Sequence, residues 1–222
     1  MKLQHPILKI LLPVDGSENS RRALQFAGCL GASLGKGLSG ITLFHVMAGG
    51  YMSRHMGYID FRAMVLTQSE TFKRKYVDEK INPLLEEGER ILKDLGIKSD
   101  LVIEKQVADG DPAMEIVRLA DEENFSTIII SRRGLSEIKG FFLGSVTSKV
   151  VHSARRQTVY IVGHNVLEDK TCPIPKILIP VDGSPYSMKG VEYAASMAGQ
   201  LEAISNITLL RVINPSALYG KA

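Results

Sequence analysis

The feature that most constrains the fold of this chain is an internal repeat. Lys9-Ile-Leu-Leu-Pro-Val-Asp-Gly-Ser17 recurs as Lys176-Ile-Leu-Ile-Pro-Val-Asp-Gly-Ser184, and Ile41-Thr-Leu-Phe-His-Val46 recurs as Ile207-Thr-Leu-Leu-Arg-Val212. Each copy places an apolar run, a helical stretch and a second apolar run in the same order, which is the pattern of a βαβ unit. The chain therefore carries one structural module twice, the second time only in part.

The first copy continues into three further runs with strand character, Leu101–Val107, Thr127–Ile130 and Thr158–Val162, and helical periodicity separates them. Strands that alternate with helices, with no hairpin signal between them, are typical of an α/β fold. We therefore predict an open parallel five-stranded sheet with helices on both faces. One helix begins at the capping box Thr67-Gln-Ser-Glu70, and Pro83 is expected to kink or divide it.

The second copy is predicted to form only a partial module. It matches the first copy through its second strand, and a βαβ unit of this size cannot bury a core of its own. The predicted organisation is a complete module at residues 1–164, a polar, proline-bearing linker at 165–175 and a partial βαβ module at 176–222. The partial module must pack on the first one, exchange with another chain or belong to a longer tandem protein.

A strand, a loop and a helix start follow one another between Thr127 and Val151. The loop carries Gly134 and Gly140, and helical spacing begins at Gly144-Ser145. The free N–H groups of a first helical turn and the helix dipole together favour a phosphate or another anion at that point. The alternative interpretation is an ordinary strand-to-helix connection with a serine cap.

Asp15 follows the first strand, at the edge where open α/β sheets bind their ligands. Its carboxylate is positioned to meet a ribose hydroxyl. The alternative is that Asp15 and Ser17 only cap the next helix, and the two roles are compatible. His45 ends an apolar strand and is interpreted as a structural residue rather than a ligand.

Several classes of function lack their sequence signatures. The chain has no Gly-x-x-x-x-Gly-Lys-Ser/Thr run, no Gly-x-Gly-x-x-Gly after the first strand and no Gly-x-Ser-x-Gly elbow. No His-x-x-x-His pair or Cys/His cluster predicts a metal site, so we expect no metal ligands. A net charge of +3 is too small to predict binding to nucleic acid.

Cysteine usage and hydropathy predict the cellular compartment. Cys29 and Cys172 lie in unrelated contexts without a Cys-x-x-Cys motif, which predicts a reduced compartment, and Cys29 is interpreted as a filler of the core. No apolar run is long enough to span a membrane, and Pro6 and Lys9 interrupt the N-terminal apolar stretch. We therefore predict a cytoplasmic protein with no membrane partner.

Three anchors together resemble the universal stress protein family: the Pro-Val-Asp-Gly-Ser strand end, Phe44-His45-Val46 and the Gly/Ser loop. The loop pattern of the family is Gly, two residues, Gly, nine residues, Gly, and then Ser or Thr. Gly134, nine residues and Gly144-Ser145 match it, whereas Ser131 stands where the family has its first glycine. The resemblance covers about Ile7 to Gly163 and implies an adenine-nucleotide-binding, Rossmann-like sheet of strand order 3-2-1-4-5. The whole chain then resembles a tandem member with one complete and one partial module.

The resemblance implies ATP, with or without Mg²⁺, as the ligand. Adenosine would be held by Pro13, Asp15 and Val46, with the backbone of Val46 reading the adenine edge. The phosphates would lie against Ser131, Arg132, Arg133, Gly134, Gly144, Ser145 and Val146. The resemblance also implies a regulatory or stress-response module that forms homodimers through the fifth strand, Thr158–Val162, or through the partial module.

Two other functions stay open. A module of the same fold that binds no nucleotide would serve protein interaction or dimerisation. An ATP-hydrolysing enzyme would need a base or water-orienting group near the γ-phosphate, and a metal ligand beyond Ser145. Glu137 is the one carboxylate in the loop and is interpreted as a surface residue. We therefore expect no catalytic residues, and at most slow hydrolysis of ATP.

Overall fold

The computed structural model describes residues 7–48, 67–132, 143–163, 172, 176–201 and 206–213. The chain forms two compact units. The larger unit runs from Ile7 to Cys172, and the smaller one takes in Pro173–Ala222 together with Met1–Pro6. Each unit is built around its own sheet.

The larger unit alternates strands and helices along its whole length. Its elements are β1 (Lys9–Pro13), α1 (Glu18–Leu34), β2 (Gly40–Ala48), α2 (Thr67–Tyr76), α3 (Asn82–Asp94), β3 (Ile103–Gly110), α4 (Pro112–Glu122), β4 (Thr127–Ser131), α5 (Ser145–Ser153) and β5 (Thr158–Val162). All strand pairs are parallel, and the order is β3-β2-β1-β4-β5. The predicted fold class and strand order are therefore confirmed.

Helices cover both faces of this sheet. On one face α1 packs against α3, and on the other α4 packs against α5. The second face closes over a core that includes Leu11 of β1, Phe44 of β2 and Ile128 of β4, with Ile116 and Val150 from the two helices. The central strands are buried on both sides, which explains why β1 and β4 are almost continuous aliphatic runs.

Pro83 divides the long helix, as predicted. Between α2 and α3 lies a single π-helical turn, Val77–Ile81, in which the Asn82 N–H donates to the Val77 C=O. Proline has no N–H, and its ring clashes with the carbonyl four residues earlier, so a regular helical turn cannot continue through it. The wider turn inserts one extra residue into the helix.

The smaller unit repeats the first βαβ segment of the larger one. It consists of β6 (Lys176–Pro180), α6 (Pro185–Ala198) and β7 (Asn206–Leu210). The two strands are parallel, with Lys176 opposite Asn206 as Lys9 is opposite Gly40 in the first copy. Sequence identity between the copies is thus matched by identical strand register.

The interpretation of Cys29 and Cys172 as unrelated residues is wrong. Cys29 and Cys172 form a disulfide across 143 residues of sequence, with their Cα atoms 5.3 Å apart. It fixes Cys172, in the segment predicted to be a linker, to the buried side of α1. The pairing joins positions distant in sequence, so no local motif could indicate it, and the argument from cysteine usage for a reduced compartment falls with it.

In the part of the chain that the structure describes, no helix is long and apolar enough to cross a membrane.

Candidate functional site

A cavity of about 550 Å³ opens at the carboxyl ends of the central strands of the larger unit. It lies where the strand order reverses between β1 and β4, the crevice in which open α/β sheets bind ligands. The lining residues come from six elements and the turns beside them: Pro13, Val14, Asp15, Phe44, His45, Val46, Met47, Ala48, Tyr76, Pro112, Ile116, Ile130, Ser131, Gly144, Ser145, Val146 and Thr147.

The turn after β1 presents Asp15 to the cavity. The Asp15 Oδ1 atom accepts from the Ser17 N–H at 3.0 Å, and the Ser17 hydroxyl caps α1 by accepting from the Ser20 N–H at 3.1 Å. Gly16 has φ +82°, a conformation that residues with a Cβ rarely adopt. Asp15 and Ser17 therefore do shape the start of the helix, as the alternative interpretation proposed, and Asp15 also lines the cavity.

The same turn forms in the smaller unit. The Asp182 Oδ1 atom accepts from the Ser184 N–H at 2.8 Å, and the Ser184 hydroxyl accepts from the Ser187 N–H. Gly183 has φ +87°. Hydrogen bonds from the Ser184 side chain, the Ser184 backbone N–H and the Ser187 hydroxyl lower the pKa of Asp182 to about 2. The turn is thus a property of the local sequence, because it also forms in a unit whose described residues have no counterpart of β4 and α5.

Val46 lies on β2 beyond the end of β1. The Phe44 C=O accepts from the Val14 N–H at 2.8 Å, so Phe44 directs its backbone groups towards β1. Successive residues of a strand alternate between the two neighbours, and Val46 therefore faces the same side as Phe44. Because β1 ends at Pro13, the backbone of Val46 meets the cavity there instead of a neighbouring strand.

His45 interrupts the ladder at this point. In a continued parallel ladder the Val14 C=O would accept from the Val46 N–H, but the His45 Nδ1 atom lies 2.7 Å from that oxygen instead. A carbonyl only accepts, so Nδ1 carries the proton and donates. On the β1 side, no described residue bonds to the Val46 N–H. His45 is structural, as predicted, and it keeps a donor available at the cavity wall.

The start of α5 forms the other end of the cavity. Gly144 precedes the helix without a side-chain cap, and its N–H donates to the Arg132 C=O at 2.9 Å. The Thr147 hydroxyl donates to the Ser131 C=O at 2.8 Å, which fixes the first turn against the end of β4. Ser145 is the first helical residue and Gly144 takes the cap position, so the alternative of a cap by Ser145 is wrong. N–H groups of an uncapped first turn are suited to an anion.

An ion pair connects the two helices that begin beside the cavity. The Asp111 carboxylate caps α4 through the N–H groups of Ala113 and Met114, and its Oδ2 atom lies 2.9 Å from Lys149 Nζ of α5. The Lys149 side chain and then the Met114 N–H hold the pKa of Asp111 below its usual value. Both carboxylate oxygens are thus engaged in fixing α4 relative to α5.

Seven of the ten predicted site residues line the cavity: Pro13, Asp15, Val46, Ser131, Gly144, Ser145 and Val146. Arg132 is described but is not among the lining residues; its N–H donates to the Val162 C=O at 2.8 Å. Arg133 and Gly134 lie outside the described residues.

Sequence reasoning missed the side chains that approach the cavity from other parts of the chain. Tyr76 belongs to α2, and Pro112 and Ile116 belong to α4. The helical periodicity of these segments indicated which residues face the sheet, but not which of those face its carboxyl end. The Asp111-Pro112 start of α4 was the one available signal, because it places that helix directly after β3.

Strand order, crevice and uncapped helix start define a doubly wound α/β unit with a ligand cavity at its switch point. A model of the universal stress protein family matches residues 6–162. The universal stress protein YxiE of Bacillus subtilis is 32% identical over 149 residues, which cover 64% of this chain and 90% of that protein. The chain belongs to the universal stress protein family.

Two solved structures extend the comparison. MJ0577 of Methanocaldococcus jannaschii superimposes with a TM-score of 0.54 and 25% identity, covering 71% of this chain and 96% of its own. A universal stress protein of Archaeoglobus fulgidus has a TM-score of 0.61 and 24% identity, covering 96% of this chain and 69% of its own. The second likeness is one of fold, and it spans nearly the whole of this chain.

Proposed function

We propose that the larger unit binds ATP in the cavity at the ends of β1, β2 and β4, and acts as a regulatory or stress-response module. The observation that carries the proposal is the pairing of two complementary ends in one cavity. Backbone groups of Val46 that meet no neighbouring strand lie at one end, and the uncapped start of α5 lies at the other. The cavity, about 550 Å³, lies within the usual range for small-molecule sites.

The base would lie at the β2 end. Val46 offers a donor and an acceptor in the plane of a strand edge, and the surrounding walls are apolar, with Met47, Ala48 and Ile116 among them. An adenine ring presents an adjacent acceptor and donor along one edge and needs apolar cover for its faces. Asp15 lies at the end of β1, between the two ends of the cavity, where its carboxylate could accept from a ribose hydroxyl.

The phosphates would lie at the start of α5. Gly144 permits a close approach to the backbone, and the first-turn N–H groups with the Ser145 hydroxyl can donate to phosphate oxygens. An accompanying Mg²⁺ would take phosphate oxygens as its main ligands, as is usual for this ion. We expect hydrolysis to be slow at most, as predicted from the loop sequence; Glu137 lies outside the described residues.

Ser131 bears on the affinity rather than the identity of the ligand. It is buried, ends β4 and lines the cavity. Its φ is not positive, because Asn124 is the one non-glycine residue with a positive φ in the described chain. Strained left-handed geometry at Ser131 is therefore not a cost of replacing the family's glycine. What remains is its Cβ, which occupies space at the cavity wall.

The test is to identify the nucleotide that the protein retains. Purified protein is denatured, and the supernatant is separated by anion-exchange chromatography with mass detection. We expect an adenine nucleotide at a substantial fraction of the protein concentration, and an Asp15→Ala variant should retain less. A parent chain that retains no nucleotide, and then binds none when ATP is added, would overturn the proposal.

A second candidate function, protein interaction through a homodimer, is favoured by the smaller unit. Leu178 and Leu210 occupy the positions of Leu11 and Phe44, which are 0% and 2% exposed in the larger unit. In the smaller unit the same positions are 60% and 43% exposed, so an apolar sheet face that helices cover in the first copy is bare in the second. Contact between two such faces in a pair of chains would bury them.

This dimer can form beside a nucleotide site or without one. A Leu178→Lys and Leu210→Lys double variant should lower the association constant if the smaller unit carries the contact, as measured by light scattering across a wide concentration range. Unchanged association would leave the edge of β5 as the proposed contact. We keep the cytoplasm as the proposed location on the hydropathy of the sequence alone, because the Cys29–Cys172 disulfide removes the argument from cysteine usage.

A further inference from the structure

Tyr76 enters the cavity from a helix that sequence reasoning did not connect with the site. It is the last residue of α2, and Lys73 lies one turn earlier on the same face of that helix. Lys73 forms an ion pair with Asp109 of β3, which is opposite Met47 of β2 in the sheet register. The ion pair therefore holds this face of α2 over the end of β2, next to Val46.

The π turn determines which residue of the helix reaches that position. The stripe of α3 that faces the core is Ile81, Leu85, Gly88 and Leu92. Continued backwards through a regular helix, this stripe would reach Asp78 and Val77, three and four residues before Ile81. The extra residue of the π turn aligns Tyr76 with Ile81 instead, five residues apart. Pro83 prevents a regular turn here, and it thereby determines which way the Tyr76 side chain faces.

Tyr76 differs from the other aromatic residue of the cavity wall. Phe44 is buried in the core and 2% exposed, whereas Tyr76 is half-buried, and both residues line the cavity. The residues around it at this end, Met47 and Ala48, are small or unbranched. A planar ring that borders an apolar end, beside a strand edge with open backbone groups, is suited to a flat heteroaromatic ligand.

We propose that Tyr76 is a binding residue that stacks on the adenine base, and that the π turn at Val77–Ile81 positions it. The inference rests on the proposed function and adds to it the wall opposite the strand edge. Val46 would read the edge of the base, and Tyr76 would cover its face. Because the contact is made only with the base, it contributes equally to the binding of adenosine and of ATP.

The test compares adenosine with ATP by calorimetry on the full chain. Tyr76→Ala should weaken both ligands by the same factor, about tenfold, as expected for loss of one base–aromatic stack. Tyr76→Phe keeps the ring and should bind both ligands as the parent does. Tyr186→Ala is the matched control, because this tyrosine is 82% exposed in the smaller unit and should leave both affinities unchanged. Tyr76→Leu, which keeps apolar bulk, replaces the alanine variant if that one unfolds.

The possible outcomes are distinguishable. Unchanged affinities in Tyr76→Ala, with the parent binding normally, would overturn the role of Tyr76 and leave the proposed function standing. Weaker binding of ATP with unchanged binding of adenosine would also overturn it, because the effect would then arise at the phosphates. A parent chain that binds neither ligand would overturn the proposed function and this inference together.

Discussion

Asp15 and Asp182 are two copies of one residue in two different surroundings. Both close the same Asp-Gly-Ser turn and both help to begin a helix. Asp15 faces a cavity bounded by an uncapped helix start, whereas the described residues of the smaller unit include no counterpart of β4 and α5. The pair therefore separates the structural role of this aspartate from any role in binding.

Alanine at each of these positions tests that separation. Asp182→Ala should lower the melting temperature slightly and leave ATP affinity unchanged, because the turn loses a hydrogen bond in the unit that is not proposed to bind ATP. Asp15→Ala should lower the melting temperature by a similar amount and also weaken ATP binding about tenfold, as is usual when a hydrogen bond to a charged group is lost. Calorimetry and thermal melts on the two variants measure both effects. Equal losses of affinity in the two variants would show that this asymmetry between the copies is wrong.

Ser131 is the residue by which this chain departs from the family pattern. Ser131→Gly should tighten ATP binding by less than about tenfold, since only steric contact of the Cβ and Oγ atoms is relieved. It should also lower stability by up to about 1 kcal/mol, because glycine loses more conformational freedom on folding than serine does. Calorimetry and denaturant unfolding measure the two changes. Weaker ATP binding in this variant would identify the Ser131 hydroxyl as a contact to the ligand.

At the scale of elements, the sequence was most informative where local chemistry decides the structure. The aliphatic runs of β1 and β4 and the division of a helix at Pro83 were predicted, and each follows from neighbours in the chain. The strand order followed from the family resemblance, since periodicity alone does not order strands.

What could not be predicted depends on contacts between distant segments. The His45–Val14 hydrogen bond requires knowledge of where β1 ends relative to β2. The direction of the Tyr76 side chain depends on how the π turn that follows it rotates α2 relative to α3, and the sequence does not show this rotation. The Cys29–Cys172 disulfide joins residues 143 positions apart. In each case the residue types were visible, and the geometry that gives them a role was not.

The Cys29–Cys172 disulfide leads to a prediction about stability, contrary to the reduced compartment that cysteine usage predicted. Reduction should lower the free energy of unfolding by about 2–4 kcal/mol, because a long loop is then released in the unfolded chain. Thermal melts monitored by circular dichroism, with and without reductant, measure the change. A Cys29→Ser and Cys172→Ser double variant is the control, and its melting temperature should not respond to reductant. Rapid alkylation of two thiols in the native parent would show that the bond does not form.

At the scale of the whole molecule, the two copies offer two surfaces for association. β5 is the outer strand of the five-stranded sheet, so one of its edges has no neighbouring strand in the described chain. Such an edge is a pairing surface unless something covers it. Ile161 on this strand is 41% exposed, next to the groups that a second chain would meet.

A charge introduced on β5 tests whether that edge forms the contact of the proposed homodimer. Ile161→Lys should shift the protein from dimer to monomer in light scattering, because lysine on an edge strand opposes pairing with another edge. The variant should keep its ATP affinity, since Ile161 does not line the cavity. A parent chain that is monomeric at every concentration would contradict the dimer. If the variant dimerises as the parent does, the proposed contact lies in the smaller unit instead of β5.

The central claim is that one of the two copies forms an ATP site and the other does not. Isothermal titration of the nucleotide-free full chain with ATP measures this directly, because the stoichiometry counts the sites. We predict one ATP per chain, bound in a single phase that Asp15→Ala weakens and Asp182→Ala does not. A stoichiometry of two, or the absence of any saturable heat, would contradict the account.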